Sequence, residues 1–501
     1  MKKILTLLLA LWMLTGCVAM AAENQLVVGS TTAMSGAFFT DLFGSNTADM
    51  DVRALLHGYN LMSWDHETGT YQINDSVVAG MAVSKDAQNN RVYTFDLYGD
   101  LKFSDGSAIT AKDYAFSILL TASPELAKLG GQSAAVGAIL GMDAYQSGKS
   151  SVLRGVRLLS DTQMSITISK AYEPYFYEMA LFDYSPYPIS VLAPGCKVVD
   201  TEKGAGIVNA SGTGDALFTA DLLQKTILDA ATGYMSHPSV VSGPYTLTSY
   251  DAQSGTASFA INPYYKGNED GEKPTIETIV YRTVANDEAI DLLLSGEVDL
   301  LNKMVAADTV SKGIQSIADQ PFSVANYPRS GLSMISFSCE RQTVSSKAVR
   351  QAIASCFDRD ALVKAYTGNF GLRANGYFGI GQWMYQLAAG TIQPPVVDLP
   401  ANATAKETAA YVKTVNRTGI RDTKLYQLAV DMRKTEPGDV LSYCQKWVAF
   451  QERWTEVLPA IPVYSNVYFD FYTTRLQNYR VTENQTWTQA IVGATLTQTA
   501  E

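Results

Sequence analysis

The three histidines, His57, His66 and His237, are the natural starting point for catalytic or metal-binding chemistry. Their spacing matches neither H-E-x-x-H nor H-x-x-x-H, so the sequence predicts no zinc site and no histidine-based nucleophile. No G-x-S-x-G elbow occurs. Residues 148–150 (Gly-Lys-Ser) resemble the end of a phosphate-binding loop, but Asp143 stands where that loop needs its first glycine. Carboxylates are plentiful, but no pattern singles out a pair of them for acid–base work. We therefore predict no enzyme, no metal and no cofactor.

The first predicted strand is residues 26–30, and the loop that follows it, residues 31–39, has residues suited to binding. Small residues there let a backbone or a ligand approach closely. Because ligands of open α/β sheets lie at strand carboxyl ends, we predict that Met34, Ser35, Gly36 and Phe38 bind a ligand. Their backbone amides would hold an extended ligand by strand addition. The alternative is that Met34 and Phe38 belong to the core.

Other candidate contacts are scattered along the chain. Tyrosine is abundant, with 28 residues against 18 phenylalanines, and it combines apolar surface with a polar tip. Tyr184, Tyr187 and Trp383 would form aromatic walls of a binding site, with packing as the alternative for each. Asn46 and Arg373 are added as polar ligand-binding candidates.

Composition predicts a globular protein with a large core. The chain has 501 residues, of which 47% are hydrophobic and 17% are charged, enough for two or three domains. Its formal net charge of −11 makes nucleic acid a poor partner.

The N-terminus is predicted to be an export signal. Lys2 and Lys3 precede an apolar run, residues 4–14, that is too short to span a bilayer. Residues 14–17 resemble a bacterial lipobox, in which Cys17 is lipidated. The alternative is ordinary cleavage after Ala21, which would remove Cys17.

The other cysteines, Cys196, Cys339, Cys356 and Cys444, are widely spaced. We predict buried free thiols, with a Cys339–Cys356 disulfide as the alternative.

Residues 93–117 are predicted to form a strand that is followed, after a tight turn, by a helix. Residues 93–103 have the near-alternation of a half-buried strand. A turn follows at 104–107, and Thr110 is a predicted N-cap with Asp113 completing a capping box for a helix from Ala111.

Further along, pattern and turn residues predict several more elements. These are a helix at 174–182, a hairpin of 245–250 with 257–261, a short strand at 298–300, a helix capped by Asp358, a linker at about 389–418, helices at 422–434 and 440–457, and closing strands at 461–464 and 467–471.

Six stretches, in this order, resemble the extracellular solute-binding proteins of ABC transporters, family 5 (the peptide-binding type). They are 93–117 (similar to the family's YTFxLRxxVKFSDGxxxTAxDVxFS signature), 141–168, 242–267, 287–300, 347–362 and 457–472.

The resemblance implies an α/β, two-lobed fold of the periplasmic-binding-protein type II, with mixed sheets and an added subdomain in lobe one. The expected division is 1–21 signal segment, 22–60 lobe one, 61–182 inserted subdomain, 183–295 lobe one, 296–468 lobe two, and 469–501 returning to lobe one.

The chain departs from the family where part of the second lobe is expected. It lacks a tryptophan–aspartate motif whose aspartate, in peptide-binding members, binds the peptide α-amine. We therefore expect a shortened second lobe, and peptide binding weakened by several kcal/mol because an ammonium would lack its carboxylate.

The resemblance implies the function of an importer's binding lipoprotein. It would be monomeric and lipid-anchored at the outer face of the cytoplasmic membrane or in the periplasm, and would deliver small peptides to a membrane permease. Two alternatives are an envelope lipoprotein acting as an interaction or chaperone module, and a hydrolase.

Overall fold

The computed structural model describes residues 24–44, 46–65, 70–131, 137–317, 320–389 and 418–497. The predictions for Cys17, His66 and most of the 389–418 linker lie outside these residues. Within them, none of the helices is both long and apolar enough to cross a bilayer.

The described strands follow one another along the whole chain. They are β1 Gln25–Ser30, β2 Met62–Asp65, β3 Thr70–Ile73, β4 Val78–Lys85, β5 Arg91–Leu97, β6 Val152–Leu153, β7 Val156–Leu158, β8 Gln163–Ile168, β9 Cys196–Thr201, β10 Gly204–Asn209, β11 Tyr245–Asp251, β12 Thr256–Ile261, β13 Thr278–Thr283, β14 Leu300–Met304, β15 Phe322–Pro328, β16 Ser333–Ser336, β17 Gly371–Arg373, β18 Ala460–Thr473, β19 Leu476–Gln477 and β20 Thr495–Leu496.

The described helices lie mostly between these strands. They are α1 Thr47–Leu56, α2 Ala111–Thr121, α3 Pro124–Lys128, α4 Met142–Gln146, α5 Ile189–Leu192, α6 Ala220–Thr226, α7 Ala289–Leu294, α8 Ala307–Ile317, α9 Lys347–Ser355, α10 Arg359–Thr367, α11 Trp383–Ala388, α12 Thr423–Arg433, α13 Val440–Val457 and α14 Trp487–Gly493, with 3-10 turns at Asp41–Phe43, Glu178–Phe182 and Gln342–Val344.

Lobe one is built on a mixed sheet in the order β11-β12-β13-β1-β14-β18-β15. Side chains alternate across this sheet, so Leu26 and Val28 point into one core, whereas Val27 points into another on the opposite face. Leu300 and Leu301 divide in the same way. A sheet covered on both faces explains why three consecutive residues of the first strand, 26–28, are apolar.

The inserted subdomain has its own core around α2. Thr110 and Asp113 form the predicted capping box, which is confirmed. The buried Tyr114 and Phe116 of α2 pack with the sheet β4-β5-β8-β7 and the smaller sheet β6-β10-β9. The same core continues to Met235, well past the expected boundary at residue 182, because β9, β10 and α6 pack on it.

The long strand β18 joins the two lobes. Its second part, from Val467, pairs with β14 and β15 in the lobe-one sheet, whereas its first part pairs with β16 and β17. Residues 300–328, which the sequence analysis placed in lobe two, therefore contribute two strands to the lobe-one sheet. We accordingly place the two points at which the chain passes between the lobes after Pro328 and before Val467.

The described cysteines are all free, and the Cys339–Cys356 disulfide is not formed. Cys196, Cys339 and Cys444 are buried as predicted, and burial raises the pKa of each of these thiols. The prediction was wrong for Cys356, which is exposed at the end of α9.

Candidate binding cleft

The carboxyl edge of the lobe-one sheet is where the two lobes meet. Strands β1, β13 and β14 run parallel, so all three end at this edge. Strand β15 is parallel to them, because β14 and β15 both pair antiparallel with β18, and it leaves the sheet there. Loops at this edge therefore face the second lobe, the usual place for a ligand in an open α/β sheet.

The loop after β1 is tied to α1. The Asp49 carboxylate accepts hydrogen bonds from the backbone N–H of Ser35 at 2.9 Å and of Gly36 at 3.2 Å, and from the Ser35 hydroxyl. Asn46 caps α1 by accepting from Ala48 N–H at 2.8 Å, while its amide donates to the Ala33 carbonyl at 2.7 Å. Strand addition at the Ser35 and Gly36 amides would therefore require Asp49 to give up its bonds.

The predicted loop residues are brought together, but they are not equally accessible. Met34 and Phe38 are buried in the lobe-one core, as the alternative interpretation proposed, and Phe38 packs edge-on against Tyr250 with ring centroids 4.6 Å apart. Gly36 has φ of +86° and little space around its Cα, so a side chain there would be strained. The Ser35 side chain is exposed. Ligand contact at this loop stays a prediction.

Tyr184 and Tyr187 pack against the subdomain core. Tyr187 lies 4.6 Å from the Phe39 ring, and the Tyr184 carbonyl accepts from Leu61 N–H at 3.1 Å. Both are half-buried, and burial raises the pKa of each phenol to about 12. Tyr187 thus lies beside the segment that follows the predicted binding loop.

Arg373 and Trp383 lie in the second lobe. Arg373 is exposed, pairs with Asp360 at 2.9 Å and lines an open pocket of about 340 Å³ together with Asn375 and Tyr385. Trp383 is buried, and its indole N–H donates to the Tyr177 hydroxyl at 3.2 Å. Trp383 therefore packs, as the alternative interpretation proposed, but its partner in the inserted subdomain was not predicted.

A buried polar network at the edge of the sheet was missed altogether. Lys303 adopts the left-handed conformation with φ of +54°, and its ammonium lies 2.7 Å from the Asp51 carboxylate. Its backbone N–H donates to Asp470, which also accepts from the Tyr479 hydroxyl at 2.6 Å and the Tyr327 hydroxyl at 3.4 Å. Burial raises the pKa of the Asp470 carboxyl to about 6, although these donors lower it.

The network connects the secondary-structure elements that lie where the two lobes join. It links α1, the bulge in β14, and the two crossing strands β15 and β18. One sequence signal was available, since Asp470 stands between Phe469 and Phe471 in an aromatic stretch of the strand. A buried carboxylate requires several donors, but their identity could not be read from so distant a part of the chain.

Across the described residues, His, Cys, Asp and Glu form no group of three or more that could hold a metal ion. The candidate residues instead combine a hydroxyl on Ser35 and a guanidinium on Arg373 with the aromatic rings of Tyr184 and Tyr187, a mixture that suits reversible binding of a partly polar ligand.

Comparison with known proteins identifies two relatives with binding roles in their names. The periplasmic oligopeptide-binding protein OppA of Escherichia coli is 23% identical over 307 residues, which are 60% of this chain and 48% of that protein. The oligopeptide-binding protein OppA of Lactococcus lactis is 28% identical over 233 residues, 46% of this chain and 32% of that protein. The matches thus span half or less of these relatives.

The fold is shared with a solved structure. The oligopeptide-binding protein AppA of Bacillus subtilis aligns over 94% of this chain and 99% of its own, with a TM-score of 0.63 at 15% identity. The predicted two-lobed α/β fold is confirmed, whereas the loss of part of the second lobe stays a prediction. The model of bacterial extracellular solute-binding proteins, family 5 (middle), matches residues 76–449, well over half of the sequence. This chain therefore belongs to the bacterial extracellular solute-binding proteins, family 5.

Proposed function

We propose that this chain is an exported binding protein of an ABC importer that takes up short peptides between its two lobes and delivers them to a permease. The observation that carries the proposal is the placement of two crossing strands at the carboxyl edge of the lobe-one sheet. Lobe two is thereby connected to lobe one at the same edge of the sheet from which the loop after β1 leaves. Family membership and the names of the relatives support the same ligand class.

The names of the sequence relatives support peptides as the ligand class, since both OppA proteins are oligopeptide-binding proteins. AppA of Bacillus subtilis, whose fold this chain shares, was solved in complex with a nonapeptide. Closure of one lobe on the other would enclose such a chain and exclude water from it. We propose Ser35 as a contact in lobe one and Arg373 as a contact in lobe two, because both side chains are exposed and polar.

Anchoring through Cys17 is part of the proposal. A diacylglycerol on this cysteine would hold the protein at the membrane that contains the permease. Replacing Cys17 with Ser should release the chain into the soluble fraction, as measured by fractionation and mass spectrometry. Release of an unmodified wild-type chain beginning after Ala21 would instead support ordinary cleavage.

Thermal melting with synthetic peptides of increasing length tests the ligand class. A peptide that binds only the folded protein adds about 2.7 kcal/mol of stability at a concentration of 100 Kd, so Tm should rise with peptide concentration. Free amino acids at equal concentration are the control.

The other outcomes separate the alternatives. An unchanged Tm with every peptide would contradict the proposal, and recovery of a specific envelope protein by the same chain would then favour an interaction module. Cleavage of the peptides during incubation would favour a hydrolase.

A further inference from the structure

A contact between the lobes lies apart from the crossing strands. The aromatic latch, as we name it, consists of Phe176 and Tyr177 of the inserted subdomain with Trp383, Tyr443 and Cys444 of lobe two. Phe176, Trp383, Tyr443 and Cys444 are each at most 8% exposed. These rings form a separate cluster that shares no buried residue with the lobe-one or subdomain cores.

Stacking in the latch is close and nearly parallel. The Phe176 and Tyr443 ring centroids are 4.0 Å apart with an interplanar angle of 23°, and Trp383 stacks on Phe176 at 5.8 Å and 27°. Aromatic pairs in such arrangements contribute beyond the apolar area that they bury. The Trp383 indole N–H also finds its acceptor across the contact, in the Tyr177 hydroxyl.

Polar groups extend the same contact. The backbone N–H of Phe176 donates to the Arg433 carbonyl at 3.1 Å. The Arg433 guanidinium lies 4.9 Å from the Tyr172 ring centroid, a cation–π distance. Arg91 of the subdomain approaches Glu436 of lobe two at 3.7 Å.

We infer that the inserted subdomain is the docking platform onto which lobe two closes, and that the aromatic latch holds the closed state in the absence of ligand. The crossing strands connect the lobes covalently but allow one lobe to rotate against the other. They therefore cannot by themselves favour the closed state over an open one. Opening must separate the stacked rings and expose them to water, which the hydrophobic effect opposes. The latch therefore shifts the lobes toward closure whatever solute the cleft takes.

The latch is expected to increase the affinity of the protein for peptide, an expectation that rests on the proposed function. When the binding-competent state is only partly populated, the measured Kd rises by the inverse of that fraction. A broken latch should weaken peptide binding by the same factor by which it lowers the closed population.

Hydrogen exchange of the full chain without ligand tests the latch directly, because the Phe176 amide bonds across the contact. In Tyr443→Ala, exchange at this amide should accelerate on the order of tenfold or more, since its protection reports the free energy of opening. Phe176→Ala makes the same test from the subdomain side. Tyr366→Ala is the matched control, because Tyr366 is a lobe-two aromatic that is 64% exposed.

Amides of α10 and β5 report whether each lobe stays folded. Faster exchange at residue 176 in both variants, with α10 and β5 protected and the control unchanged, supports the latch. Unchanged protection at residue 176 overturns it. Loss of protection throughout α10 in both variants also overturns it, because the cluster would then be part of the lobe-two core. Since no peptide is present, these outcomes do not depend on the proposed ligand.

Discussion

Arg350 offers the sharpest test of how the second lobe is held together. Its side chain is 2% exposed and donates to four backbone carbonyls, those of Val344, Ser345, Val457 and Leu458. Two of these carbonyls belong to the C-terminal end of α13, where no helical N–H is available and the helix dipole is negative. No carboxylate of the described residues forms an ion pair with it.

Replacing Arg350 with Met should destabilise the protein strongly. The change removes four charge-assisted hydrogen bonds, and the buried Val457 and Leu458 carbonyls lose their donors at a cost of about 1–3 kcal/mol each before water enters. Allowing for such relaxation, we expect a loss of about 4 kcal/mol from the free energy of unfolding. Arg350→Lys keeps the charge but not the planar fork, so it should lose about 2 kcal/mol.

Urea unfolding followed by tryptophan fluorescence measures this loss, since Trp447 and Trp454 lie on α13 itself. Arg421→Met is the matched control, because the Arg421 side chain is 86% exposed and makes only a surface ion pair. That variant should change stability by about 0.5 kcal/mol or less. If Arg350→Met unfolded at the same urea concentration as Arg421→Met, the assigned role of the buried guanidinium would be refuted.

Three further outcomes are expected. Burial lowers the pKa of His57 to about 4, so the neutral imidazole contributes to the stability of the folded state above pH 6.5. This contribution is lost as the pH falls toward 4. Between pH 7.5 and 5 the wild type should lose about 2 kcal/mol from this group, and His57→Gln should flatten that dependence of the urea midpoint on pH. Thr110→Ala should cost about 1 kcal/mol by removing an N-cap, measured as a lowered urea midpoint, and no change would contradict the capping role. Lys303→Met leaves buried Asp51 without its cation and should cost about 3 kcal/mol by the same assay; an unaltered midpoint would show the pair to be dispensable.

Local sequence determined several elements closely. The Thr110 capping box begins a helix where it was predicted, and Asp358 caps α10 by accepting from Ala361 N–H. The predicted hairpin matches β11 and β12 to within one residue at each end. Such signals act between residues a few positions apart, so the chain alone carries them.

The helix predicted at residues 174–182 is wrong over its first half. Only Glu178–Phe182 is helical, as a 3-10 turn, and the Phe176 N–H donates instead to the Arg433 carbonyl more than 250 residues away. The two predicted closing strands are likewise one continuous strand, β18, because partners in both lobes pair along its whole length. Neither partner is visible from the local pattern.

By itself, the sequence determined the family, the two-lobed α/β fold, the apolar strand β1 and the start of α2, all of which depend on local periodicity or on motif order. Only the tertiary structure decided that Trp383 packs on Phe176, that Asp49 occupies the Ser35 amide, and that Lys303 neutralises Asp51. Each of these depends on which distant groups share a buried space, where an unpaired charge or amide is costly and must find a partner. Local composition does not specify that partner.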